Sequence, residues 1–191
     1  MLRLFLAIDL PDGVRHEVEA MCTRVHKARW VKPHQLHITL RFMGQTPDDA
    51  LAGIQEKLAQ VEVPAFELAL RGAGVFPSGA STRRARVLWL GLEPMEPLVR
   101  LKREIDTCLG MDTPSEVQGF SPHLTLARFV EKSDPSLTQF IAQYHNYRSA
   151  HWPAACFQLY KSTLHSSGAV HEVIATYALA DTCREPQTSG N

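Results

Sequence analysis

The sequence predicts a mixed helix-and-strand chain built from two structurally similar lobes. Short apolar runs, alternating or continuous, take turns with stretches whose apolar residues recur at helical spacing. The order strand, helix, strand, helix, strand then occurs twice. Its offset is 83 between the first strands (Leu4 to Val87), 86 between the middle ones (His37 to His123) and 91 between the last (Phe66 to Phe157). Each middle strand also carries a His-x-Thr, as His37-Ile38-Thr39 and His123-Leu124-Thr125.

In order, Leu2 to Leu10 is apolar on both faces and reads as an interior strand. Asp9-Leu10-Pro11-Asp12 then starts a helix whose stripe is Val14, Val18, Met21 and Val25. Trp30-Val31 is a short strand stopped by Pro33. The strand His37 to Met43 ends at a Gly44 turn, and Thr46-Pro47-Asp48-Asp49 opens a helix with Leu51, Ile54, Leu58 and Val61 inward. Phe66, Leu68 and Leu70 form a strand ending at Gly72. The Gly72–Arg86 stretch reads as a loop that, with Arg71, carries Arg83, Arg84 and Arg86: a solvated surface loop, or a basic arm over an anionic substrate.

The second round has a strand at Val87 to Leu92 and a helix from Glu96 to Leu109. A motif strand follows at His123 to Val130, then a helix marked by Leu137, Phe140, Ile141 and Tyr144, and a strand with Ala155, Phe157 and Leu159. After a Gly168 turn, Val173 to Leu179 closes the fold, and 181–191 is a polar tail. One domain over 1–180 is expected, with lobes at about 1–85 plus the C-terminal strand and about 86–165.

Composition narrows the class. Hydrophobic (45%) and charged (21%) fractions are those of a soluble globular protein, and a net charge of zero means any anion site must be a local concentration of positive charge. Cys22, Cys108, Cys156 and Cys183 are dispersed, without a Cys-x-x-Cys pair, which argues for a reduced, cytoplasmic setting. The run Leu4 to Ile8 is too short to span a membrane and no cleavage pattern follows it. There is no Gly-x-Ser-x-Gly elbow, Walker loop or Gly-x-Gly-x-x-Gly fingerprint, so ATP-driven and serine-nucleophile schemes have no footing.

A lone His on an apolar strand is ordinarily a satisfied, partly buried imidazole. Duplication at equivalent strands is hard to explain by packing, because neither His nor Thr is a preferred core residue. Zinc is disfavoured: His34 and His37 lead from loop into strand, and His16, His26, His145, His151, His165 and His171 do not cluster. Two imidazoles with ordinary pKa near 6.5 suit proton donation and acceptance during in-line displacement at phosphorus. Thr39 and Thr125 can donate to non-bridging oxygens. Arg128, three residues past Thr125, can clamp a phosphate. Phe42, three past Thr39, is either a core aromatic, the more frequent case, or a platform for a base.

These residues resemble the two-histidine (2H) phosphoesterases of the LigT type, the RNA 2′,3′-cyclic phosphodiesterases historically called 2′-5′ RNA ligases. The likeness runs through Arg3 to Pro11, Trp30-Val31-Lys32-Pro33, His37 to Gly44, Arg86 to Gly91, Pro122 to Arg128 and Leu159-Tyr160-Lys161-Ser162. It implies a bilobal, pseudo-twofold α+β fold with two antiparallel sheets lining a cleft and helices outside. It also implies hydrolysis of RNA 2′,3′-cyclic phosphate ends, tRNA-derived ones among them, to 2′-phosphates by a monomer without metal or other cofactor. His37 would be proton donor and His123 acceptor, while Thr39, Thr125 and Arg128 hold the phosphate. His171 departs from the pattern, standing where an aromatic Tyr is expected. Rival readings are the reverse reaction, 2′-5′ joining to a 5′-hydroxyl, and a non-catalytic RNA-end binding module, which would need no second His.

Overall fold

Leu4, Leu6 and Ile8 alternate with Phe5 and Ala7 along β1 (Leu2–Asp9), and both sets are buried, as an interior strand requires. The structure, a computed structural model, describes residues 1–23, 25–78, 82–111, 119–131, 135–165 and 168–180. The expected tail at 181–191 lies outside the described residues. The remaining strands are β2 (Arg29–Trp30), β3 (His37–Thr46), β4 (Phe66–Phe76), β5 (Val87–Glu93), β6 (Leu124–Arg128), β7 (Trp152–Ala154), β8 (Cys156–His165) and β9 (Gly168–Ala178). The helices are α1 (Asp12–Met21), α2 (Leu51–Leu58), α3 (Met95–Leu109) and α4 (Pro135–Tyr144).

The fold is α+β, with one curled sheet in the order β7-β4-β5-β6-β3-β1-β8-β9, and β2 beside β6. One face takes the helices: Leu4, Leu6 and Ile8 of β1 and Leu88, Leu90 and Leu92 of β5 pack in one core with Val14 and Val18 of α1 and Leu98, Leu101 and Ile105 of α3. Each such side chain, fully buried, contributes about 1.5–3 kcal/mol. The opposite face is left for function. Among the described residues, no helix is long and apolar enough to cross a membrane.

The two sheets expected from the resemblance are the two halves of this one. They join where β3 meets β6, through the single residue pair Ile38↔Leu124. Their strand content corrects the expected lobe boundaries. β4, the last strand of the first round, pairs with β5 of the second, and β8, the last strand of the second, pairs with β1 of the first. A boundary near residue 85 thus cuts between adjacent strands, and each half holds strands from both rounds.

Two expected stops are crossed by strands. β3 continues through Gly44 (φ +71°), and β4 runs through Gly72 (φ +57°) to Phe76, because glycine adopts these left-handed values without strain. A Cβ at Gly72 would also come within 2.8 Å of the His145 carbonyl oxygen. β4 thus takes the first part of the expected 72–86 loop, of which residues 79–81 lie outside the described residues. At the loop's end Arg86 donates to the Val130 carbonyl at 2.8 Å, tying it to the end of β6. The first helix stops at Met21, so Val25 joins the core from beyond it.

Candidate active site

Ile38 and Leu124 point into the core with no exposed surface. Because strand side chains alternate, His37 and Thr39 on one side of that pair, and His123 and Thr125 on the other, all point to the helix-free face. Four motif side chains from two distant segments thus surround one point of backbone contact.

Strict alternation would send Phe42 and Arg128, each three residues past its Thr, to the wrong face. Matching β-bulges correct this. Ala7 faces Thr39 and Leu6 faces Arg41, so Leu40 is the extra residue; Trp89 faces Thr125 and Leu88 faces Ala127, so Leu126 is. Beyond the bulges Phe5 faces Phe42 and Val87 faces Arg128. Residues directly opposite share a face, so Phe42 lies with Phe5 and Thr39, and Arg128 with Thr125. Phe42 is 64% exposed, with its ring 6.1 Å from that of Phe5, which rules out the core-aromatic reading. Arg41, by contrast, turns to the helix side. It sits 3.6 Å from Asp106 of α3, a buried carboxylate that also accepts from Lys102.

Both imidazoles are held alike. His37 Nδ1 lies 2.7 Å from the Gln35 carbonyl oxygen and His123 Nδ1 lies 2.8 Å from that of Ser121. A carbonyl only accepts, so Nδ1 carries the hydrogen and Nε2 is left for chemistry. Arg15 of α1 fixes the first of these carbonyl segments by donating to Pro33 and Leu10 at 2.6 and 3.0 Å. Gln35 also donates to the Ala169 carbonyl, docking the β8–β9 hairpin on the same segment.

Their surroundings differ. The His37 ring lies 4.9 Å from Phe5, which stacks on Tyr160, and His171 meets it edge-on at 5.6 Å. Burial pushes the His37 pKa down to about 4. The Gln35 carbonyl opposes the shift, His171 adds to it, Asp9 opposes it and Arg128 adds to it. That Arg128 acts on His37 puts the second segment's guanidinium within electrostatic reach of the first segment's imidazole. Tyr160 donates to Asp9, and burial followed by that carboxylate raises the phenol's pKa, keeping it neutral. His123 packs edge-on against Phe76 at 4.9 Å, with Trp89 at 6.5 Å.

All six expected site residues share one face. Sequence reasoning missed the aromatic bed and the ring contact made by His171, whose own pKa is lowered by burial, then by Arg3 and His34. The carbonyl supports carry no residue-type signal at all. Arg71, counted in the expected basic loop, pairs with Glu93 at 2.6 Å instead.

Comparison with known proteins bears on family and fold. A family model described as the 2′-5′ RNA ligase superfamily matches residues 10–169. Among curated relatives, an RNA 2′,3′-cyclic phosphodiesterase of Thermus thermophilus is 31% identical, over 99% of this chain and 96% of its own. One of Archaeoglobus fulgidus is 28% identical, over 92% and 99%. A crystal structure of a Thermus thermophilus protein superposes with a TM-score of 0.74 at 28% identity, covering 95% of this chain and 100% of that one. E. coli LigT complexed with 3′-AMP gives 0.73 at 24% identity, covering 94% and 98%, a likeness of fold.

Proposed function

The chain belongs to the 2′-5′ RNA ligase superfamily, and from that premise we propose that it hydrolyses RNA 2′,3′-cyclic phosphate ends to 2′-phosphates. The observation that carries the reading is the pair of imidazoles, each fixed through Nδ1 with Nε2 turned to chemistry, flanking the Ile38–Leu124 junction. Thr39, Thr125 and Arg128 hold the non-bridging oxygens. Water attacks phosphorus in line, giving its proton to His123 Nε2. The P–O3′ bond breaks as His37 Nε2–H protonates the 3′ oxygen, leaving a 3′-hydroxyl and a 2′-phosphate. Phe42 offers its exposed ring to a base. The reading takes RNA ends, tRNA-derived ones included, as substrate, needs no cofactor, and places a monomer in the cytoplasm.

His37→Ala and His123→Ala are each expected to lower turnover of a cyclic-phosphate oligonucleotide at least about 10²–10⁴-fold. Undiminished turnover in either variant sinks the acid–base pair. A 3′-phosphate product would instead mark ribonuclease-like opening, and loss of activity with chelator would bring back a metal. The low His37 pKa favours a second assignment, in which neutral His37 accepts the proton and His123 donates it. A p-nitrophenyl phosphodiester, whose leaving group needs no proton, separates the two: only the variant lacking the donor keeps activity on it.

A further inference from the structure

The helix-free face is asymmetric about the junction. On the β1–β8 side it is filled by Phe5, Ala7 and Tyr160, which are buried together. On the β4–β5 side three glycines clear it instead. Gly74 lies beneath the Trp89 indole, where a Cβ would come within 2.3 Å of the ring, and a Cβ on Gly91 would come within 2.7 Å of the Arg71 carbonyl oxygen. Gly72 lets the 145–148 segment close on β4, with its N–H donating to the Tyr147 carbonyl at 2.9 Å. Between that segment and the indole lies a cavity of about 530 Å³ with Arg71 and Arg148 at its rim. Both guanidiniums bind one carboxylate, Glu93, itself 15% exposed, while their own side chains are 66% and 59% exposed. The Trp89 indole N–H is buried and has no hydrogen-bond partner among the described residues.

We propose that this cavity is a second nucleotide subsite, taking the unit that adjoins the reacting RNA end, its base against Trp89 and its phosphate on Arg71 and Arg148. The inference rests on the RNA-end reading above and extends it from the terminal phosphate to the strand. Three features support it. Trp89, which lines the cavity, lies 6.5 Å from His123, so the cavity and that motif histidine flank one indole. An indole is a sequence-tolerant stacking surface. A carboxylate that holds two guanidiniums leaves the cluster net positive and pre-organised, and guanidinium forks suit phosphate oxygens. Next to the junction the β1–β8 side is filled by Phe5, Ala7 and Tyr160, which directs the strand toward the β4–β5 side.

The test uses the full chain and its Arg71→Gln/Arg148→Gln variant, whose amides can still bond Glu93. Matched thermal unfolding of the two proteins shows that the fold is kept. Turnover is compared on a mononucleoside 2′,3′-cyclic phosphate and on a trinucleotide with the same cyclic end. Wild type is expected to favour the trinucleotide in kcat/KM, and the double substitution to lower that preference about tenfold. Binding of a labelled trinucleotide ending in a 3′-phosphate should weaken by a similar factor. An unchanged preference and unchanged binding overturn the subsite while leaving the hydrolase reading intact. Wild type that turns over neither substrate, yet binds the trinucleotide through the two arginines, overturns the hydrolase reading and keeps the subsite. Should Arg71→Gln/Arg148→Gln fail to fold, Gly74→Ala, which displaces the indole, must lower the trinucleotide preference, and its failure to do so overturns the proposal.

Discussion

An imidazole packed on Phe5 and Tyr160 resists taking a proton, and that resistance is stored in the stability of the fold. The His37 pKa falls from an ordinary 6.5 to about 4, so the folded chain binds its proton less readily than the unfolded one. Stability from this residue is fully present above pH 6.5, declines as pH falls towards about 4, and is constant below that. The span corresponds to about 3 kcal/mol. Denaturant melts from pH 7 to 4 should therefore fall less steeply for His37→Gln than for wild type; parallel slopes would show that burial does not hold this pKa down. The same group sets an expectation for rate. The acid limb of kcat/KM, which reports the free enzyme, belongs near pH 4, and a limb near 6.5 would contradict the burial of His37. At this scale the motif histidines were legible because duplication stands out in a string of letters. Their supports were not, since a carbonyl oxygen of Gln35 or Ser121 belongs to the backbone of any residue.

The working parts of β3 and β6 are as much the bulges as the side chains. Leu40 and Leu126 each add one residue opposite none, and so turn Phe42 and Arg128 onto the face of their threonines. Deleting Leu126 would leave Arg128 two residues past Thr125 and still on its face, so the direct test is Arg128→Gln, which should weaken binding of inorganic phosphate, measured by calorimetry; unchanged affinity would remove Arg128 from the phosphate site. Where the strands touch, Leu124 has no exposed surface, and Leu124→Ala should cost about 2–5 kcal/mol in urea unfolding. A loss below about 1 kcal/mol would mean the junction relaxes around the missing side chain. Periodicity located these strands well, since Ile38, Leu40, Leu124 and Leu126 alternate with polar residues. It could not foresee the bulges, because a bulge is a relation between two strands and leaves no mark within either. For the same reason Gly44 and Gly72 read as stops when they are points where a strand bends and continues.

Across the molecule, exchange of β4 and β8 makes the two halves interdependent. Neither round of the sequence contains a complete half-sheet: β1 and β3 need β8, while β5 and β6 need β4. Residues 1–85 and 86–191 made separately should therefore each lack cooperative unfolding, and mixing them should restore both the transition and activity. A stably folded 1–85 fragment would refute the dependence. The repeat itself was readable from order and offset. Its exchange was not, because the offset between rounds is the same whichever half the last strand joins.

That exchange also has a timetable. A chain leaving the ribosome presents β4, β5, β6 and β7 by residue 154, enough to assemble the half that carries His123. The half that carries His37 waits for β8 and β9, from residue 156 onward. Tyr160 and His171, whose rings pack against His37, belong to these two strands. A nascent or prematurely ended chain therefore holds one motif histidine in place and the other in an unfinished setting until β8 and β9 have been made.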